Sequence, residues 1–175
     1  MYNKILYDET INQVKYAPRS SKFFILSSKK IVISDGSQEV SIEGKFTTAS
    51  WKNSDVLSVG SSHGLFELSS GILEKKISKA VDQMAWNPDG TYLYFRNNDG
   101  SFVWSGGDPW ELGYYLDTVE WNPAAPHLFT AAGGRILIWN AYKRELYRTL
   151  HTYHRDVSEI KHRRCLLYTS DAADE

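Results

Sequence analysis

The sequence predicts an all-β protein made of four copies of one small antiparallel sheet. Three observations carry this. An aromatic residue recurs at Tyr16, Trp51, Trp86 and Trp121, a constant interval of 35 residues. The flanks match: Ile11-Asn-Gln-Val-Lys-Tyr16, Phe46-Thr-Thr-Ala-Ser-Trp51, Val81-Asp-Gln-Met-Ala-Trp86 and Leu116-Asp-Thr-Val-Glu-Trp121. Between these markers, short β-rich runs alternate with turn signals, and no helical periodicity is sustained.

Each repeat reads as four strands in order. The first strand ends on the recurring aromatic. A turn follows it: Ala17-Pro18-Arg19-Ser20, Lys52-Asn53-Ser54-Asp55, Asn87-Pro88-Asp89-Gly90 and Asn122-Pro123-Ala124-Ala125. Proline there presets φ, Asn and Asp bond their own backbone, and glycine supplies a positive φ. The second strand is apolar on both faces: Phe23–Leu26, Val56–Val59, Tyr92–Phe95 and His127–Thr130. A tight turn then carries hairpin signals such as Asp99-Gly100 and Gly133-Gly134. The third strand covers Ile31–Ser34, Leu65–Leu68, Phe102–Trp104 and Ile136–Trp139. The fourth is the most polar and reads as an exposed edge: Glu39–Ile42, Ile72–Ile77, Trp110–Tyr115 and Glu145–Leu150. Second and third strands that are apolar on both faces fit sheets stacked face to face. A four-stranded unit of this length is a propeller blade, so the fold class expected is a partial β-propeller.

The pattern of an aromatic, Pro-Asp-Gly, then Asp-Gly and a strand ending in Trp resembles the WD-repeat β-propeller family. Val81-Asp-Gln-Met-Ala-Trp-Asn-Pro-Asp-Gly90 with Asn98-Asp-Gly-Ser-Phe-Val-Trp104 carries it best, and Ile136-Leu-Ile-Trp-Asn140 echoes it. The resemblance covers residues 11–164. It implies a hydrogen-bond chain within each blade from a His, through a turn Asp, to the Trp of the third strand. Here that chain is incomplete. The third repeat has Asp99 and Trp104 without the His, and the fourth has Trp139 with Gly133-Gly134 at the turn. A divergent propeller with lower local stability is expected.

Blades are expected over about 11–45, 46–80, 81–115 and 116–153. His154-Arg-Asp-Val-Ser-Glu-Ile160 reads as the start of a fifth over 154–164. Asn3-Lys-Ile-Leu-Tyr7 reads as a lone strand, which in closed rings of this family completes the last blade. Residues 1–164 are therefore expected to be an incomplete propeller from a larger ring. Residues 165–175, Cys165-Leu-Leu-Tyr-Thr-Ser-Asp-Ala-Ala-Asp-Glu175, match nothing before them. They resemble the translation of a transposase-type sequencing adapter and are expected to be non-native.

Composition bounds the function classes. Hydrophobic residues make up 42% and aromatics 14%, too apolar for a disordered chain. No run approaches a membrane span, and no apolar stretch after Met1 forms a secretory signal. The formal net charge is −1 over 175 residues. The tail holds Asp171, Asp174, Glu175 and the single cysteine, so residues 1–164 carry 20 basic against 18 acidic side chains and no cysteine. This excludes a disulfide framework and fits an intracellular, cytoplasmic location.

No catalytic, cofactor-binding or metal-ligating constellation is evident. The glycines of Ser105-Gly-Gly107 and Ala132-Gly-Gly134 precede no helix, as a phosphate loop requires. The five histidines form no zinc motif; His151 and His154 are three apart in an expected loop. Two surfaces are candidate contacts. Asn12, Thr47, Asp82 and Asp117 occupy equivalent positions at the start of each first strand, on the rim where this family usually meets partners. The simpler reading is solvated turn residues. Residues 141–164 hold Lys143, Arg144, Arg148, Arg155, Lys161, Arg163 and Arg164 against Glu145, Asp156 and Glu159. With Tyr142, Tyr147 and Tyr153 interleaved, this stripe could bind RNA. The simpler reading is an edge strand charged against aggregation. Trp110, Tyr114 and Tyr115 on the fourth strand of the third repeat are either a docking patch or packed against the adjoining loop.

The resemblance implies a non-catalytic scaffold whose partners are other proteins. An RNA- or ribosome-associated propeller is the first alternative. A propeller attached to a downstream catalytic domain is the second.

Overall fold

The computed structural model describes residues 10–132 and 135–150. Sixteen strands form four separate four-stranded sheets among them. The first sheet holds β1 (Ile11–Tyr16), β2 (Phe23–Ser27), β3 (Lys30–Ser34) and β4 (Glu39–Glu43). The second holds β5 (Thr48–Trp51), β6 (Val56–Ser61), β7 (Gly64–Ser69) and β8 (Ile72–Ile77). The third holds β9 (Gln83–Trp86), β10 (Leu93–Asn97), β11 (Gly100–Trp104) and β12 (Trp110–Glu111). The fourth holds β13 (Thr118–Trp121), β14 (Leu128–Ala132), β15 (Ile136–Asn140) and β16 (Glu145–Leu150). Each sheet is an antiparallel meander with its strands in sequence order. The first strands of consecutive sheets meet, β1 with β5, β5 with β9 and β9 with β13. The four blades therefore share one inner axis, and the architecture is a partial β-propeller. The expected fifth start at 154–164, the strand at 3–7 and the tail lie outside the described residues.

Local chemistry explains the strand ends. A side-chain acceptor closes the turn between second and third strands in three blades. Ser27 Oγ accepts the Lys30 amide at 3.1 Å, Ser61 Oγ the His63 amide at 3.1 Å, and Asn97 Oδ1 the Asp99 amide at 2.9 Å. Asn53, Asn87 and Asn122 do the same in the first turn: Asn53 Oδ1 accepts from Asp55, Asn87 Oδ1 from Thr91 and Asn122 Oδ1 from Ala124, each at 2.9 Å. Ser70 (φ 50°) and Gly71 (φ 78°) form the two-residue hairpin of β7 and β8. The middle strands are largely buried and the fourth strands largely exposed.

The recurring indole is an inter-blade clip. Trp51 Nε1 donates to Lys15 O at 3.1 Å, and Trp121 Nε1 donates to Ala85 O at 3.0 Å. Both bonds join residues 36 apart, one blade to its predecessor. Trp86 departs from the pattern. Its indole donates to the buried Ser58 hydroxyl at 2.8 Å, while its backbone amide donates to Ser50 Oγ at 3.3 Å. All three indoles are buried. Tyr16 is not: it is 70% exposed, because no described sheet covers its face of the first blade. The recurring aromatic is thus buried in three of the four repeats.

Two expectations are corrected. β12 spans only Trp110–Glu111, because Gly113 (φ 70°) turns the chain away before the tyrosines. Trp110 and Tyr114 instead pack edge-on against Trp139 of the fourth blade, at 5.6 and 5.9 Å between ring centroids. They close an inter-blade seam. Trp104 does not reach Asp99; its Nε1 donates to Gly107 O at 3.0 Å. Trp139 Nε1 is buried with no hydrogen-bond partner among the described residues. Blade four has a short turn at 141–144 where blade three folds its Ser105–Gly107 loop back over the indole. An orphaned buried donor carries a desolvation cost of about 1–3 kcal/mol. Trp139→Phe is therefore expected to change stability by less than about 1 kcal/mol, because losing that cost offsets the lost packing. Urea unfolding measures this.

Candidate interaction face

Strand direction sorts the loops onto two faces. First strands run from one face to the other, second strands return, and the meander repeats. One face collects the blade-to-blade connections and the turns between second and third strands. It carries Asn12, Thr47, Asp82 and Asp117, all exposed. Their backbones extend the sheets: the Asp82 amide donates to Arg96 O at 2.9 Å and the Asp117 amide to Ala132 O at 2.7 Å. Thr47 Oγ1 donates to Val81 O, tying the second blade to the third. Beside Asp82, the Arg96 guanidinium donates to Gln83 Oε1 at 2.7 Å and to the Tyr115 hydroxyl, and lies over the Tyr115 ring. This face is ridged by fixed side chains.

The opposite face holds the turns after each first strand and those between third and fourth strands. Among the described residues, four recesses lie here, at the junctions of consecutive blades. One of about 320 Å³ opens between the first and second blades, over Trp51, Leu68 and Ile33. One of about 430 Å³ is framed by the first turns of three blades, with Pro18, Arg19, Asn53, Pro88 and Asp89. One of about 340 Å³ lies between Trp86, Tyr92 and Trp104, and one of about 290 Å³ between Tyr92, His127, Tyr142 and Lys143.

The turns around these recesses are fixed from blade to blade. Asn87 is buried, and its Nδ2 donates to Pro126 O of the next blade at 2.9 Å. Lys52 pairs with Glu67 at 3.0 Å and lies 5.0 Å above the Trp86 ring. Gly90 (φ 72°) passes so close to the second blade that a Cβ would meet Lys52 O at 2.4 Å. Lys22 of the first blade reaches Asp55 of the second at 3.1 Å.

Charge is fixed here too. Asp35 Oδ1 accepts the Gln38 and Ser37 amides and the Ser37 hydroxyl, each at 2.8 Å. These bonds, the Gln38 amide first, hold its carboxyl at about 2. Asp55 is also held below its usual range, by the Lys22 ammonium and then the Ser54 hydroxyl. Asp35 is therefore expected to stay ionised at pH 3, where an ordinary aspartate is mostly protonated. Carbon-detected NMR titration reads this directly, and Ser37→Ala with its hydroxyl removed should shift the midpoint upward.

Lys143, Arg144 and Arg148 are exposed, in the turn before β16 and on that edge strand, beside exposed Tyr142 and Tyr147. Arg144 (φ 55°) occupies a left-handed turn position and Lys143 Nζ lies 3.7 Å from Glu145. Tyr147 sits at a bulge, where the β15–β16 register slips between Ile138 and Trp139. Arg155 lies outside the described residues. Among those described, no group of three or more His, Cys, Asp or Glu converges as metal ligands would, and no helix is long and apolar enough to cross a membrane.

The sequence reading missed the recessed face, although the necessary signal was present. The recurrent turns at 17–20, 52–55, 87–90 and 122–125 all follow a first strand, so they fall on one side.

A chain of the solved structure described as "Crystal Structure of Mitotic Checkpoint Complex" superposes with a TM-score of 0.65 at 21% identity. The match covers 81% of this chain, which spans about half (51%) of that one. This likeness establishes the fold. No protein-family model and no curated protein sequence matches the chain.

Proposed function

We propose that this chain is a non-catalytic protein-interaction module, the propeller part of a scaffold subunit in a multiprotein complex. The observation that supports it is where the recesses fall. Four recesses among the described residues lie on a single face, each walled by turns from two or three blades. Loops held by a rigid scaffold are where recognition resides. The aligned solved structure is described as a complex, which agrees with a partner-binding role. The rim bearing Asn12, Thr47, Asp82 and Asp117 is the second surface proposed for contact.

Affinity capture with quantitative mass spectrometry tests this. The wild-type chain should retain a discrete, near-stoichiometric set of proteins. Asn53→Ala, Asp89→Ala, His127→Ala and Tyr142→Ala combined should lose most of it, with near-UV circular dichroism unchanged. Asp82→Ala with Asp117→Ala should retain it. Partners lost only in the rim variant would move the contact surface to the rim, and a chain that retains no partner would refute the reading.

A second reading rests on the exposed cations and tyrosines of the β16 edge. If Lys143, Arg144 and Arg148 contact single-stranded RNA phosphates, log affinity should fall with log salt at a slope of about −2. Lys143→Ala with Arg148→Ala should flatten that slope. A salt-independent affinity would remove this reading.

A further inference from the structure

We propose that the recess between the first and second blades is a docking slot for a lysine or arginine side chain of a partner polypeptide. The inference rests on the protein-interaction reading and assigns the chemistry of one slot within it.

The slot has an apolar floor and anionic walls. Trp51 and Leu68 are buried beneath it, Ile33 is half-buried, and Val40 at its edge is 47% exposed. Asp35 stands on the loop after β3, and Asp55 on the turn after β5. The Asp35 carboxylate is oriented by three hydrogen bonds, all to Oδ1; no described residue bonds Oδ2. Two carboxylates therefore border the slot against one ammonium, that of Lys22.

Lys22 itself indicates what the slot accepts. Its stem comes from the first blade, and its ammonium bridges to Asp55 of the second at 3.1 Å. A long aliphatic stem with a cationic head matches an apolar floor beneath carboxylates, since such side chains bury their methylenes and keep the charge at a polar rim. An arginine would add a planar fork for the open Asp35 oxygen. An acidic side chain would face both aspartates, and a purely apolar one would strip their water without compensation.

Lys22 is then a competitor as well as a precedent, which fixes the sign of the test. A random dodecapeptide library is selected on the full chain, and enriched peptides are titrated against variants. Enriched sequences should carry Lys or Arg beside an apolar residue. Asp35→Asn with Asp55→Asn should weaken them about tenfold. Lys22→Ala should tighten them about two- to fivefold by releasing Asp55. These positions are peripheral, and near-UV circular dichroism checks that the variants keep the fold. Acidic or charge-free consensus peptides would overturn the slot. So would basic peptides indifferent to the double Asn change, weaker binding by Lys22→Ala, or no enrichment. Each of these leaves the broader interaction reading intact if proteins are still captured, whereas loss of all capture defeats both.

Discussion

Trp86→Ala is expected to destabilise the chain by about 3–5 kcal/mol, while Tyr16→Ala at the equivalent position of the first repeat should cost less than about 1 kcal/mol. Both residues mark the same place in a repeat of 35. Their surroundings differ. Trp86 is 8% exposed, packs edge-on against Trp104 at 6.0 Å and carries Lys52 over its ring. Its Nε1 also satisfies the buried Ser58 hydroxyl of the preceding blade at 2.8 Å. Truncation removes the packing, opens a cavity between two sheets and leaves that hydroxyl without its donor. Tyr16 is 70% exposed and, among the described residues, its one ring contact is with Phe23 of its own sheet, at 5.5 Å. Trp86→Phe separates packing from bonding: it keeps most of the ring and loses the donor, and about 1–3 kcal/mol is expected. Denaturant unfolding followed by far-UV circular dichroism measures all three variants. Equal costs for Trp86→Ala and Tyr16→Ala would contradict burial of the indole between blades.

Gly90→Ala is expected to cost more than about 2 kcal/mol, and Gly36→Ala only about 1 kcal/mol. Both glycines have positive φ, 72° and 92°, so alanine pays a similar backbone penalty of about 1–2 kcal/mol at either. The space differs. A Cβ on Gly36 meets nothing within 4 Å, whereas one on Gly90 would lie 2.4 Å from Lys52 O. That carbonyl is backbone, in the adjoining blade, in a segment already fixed by the Lys52–Glu67 pair. Relief requires the second and third blades to separate. The change should also reshape the recess between them, which both Gly90 and Lys52 line. Thermal unfolding compares the two variants.

How much of this was legible in the sequence follows from the range of each interaction. Strands and turns were, because their causes lie within a few residues: Asn53, Asn87 and Asn122 close turns with amides two to four positions on. The four described blades were legible because an aromatic recurs at a fixed interval, at Tyr16, Trp51, Trp86 and Trp121, and the indole clips of Trp51 and Trp121, each 36 residues long, need a constant repeat. The recesses were not. Their walls join residues whose approach depends on how blades pack, such as Lys22 with Asp55 or Asn87 with Pro126. The rim was singled out by likeness to a family and by the match of Asn12, Thr47, Asp82 and Asp117. Equivalence in sequence identifies a shared face but not which face is concave. The β12 strand was read too long because apolar Tyr114 and Tyr115 extend its pattern. Gly113 turns the chain, and Tyr114 packs on Trp139 instead.

The most direct test of the account is hydrogen exchange by mass spectrometry on the chain with and without its captured partner. Binding should slow exchange in the turns at 35–38, 52–55, 87–92 and 141–144, and leave those at 28–30, 61–64 and 97–100 unchanged. Protection confined to the latter turns and to the segments holding Asn12, Thr47, Asp82 and Asp117 would contradict the recessed face as the interaction surface.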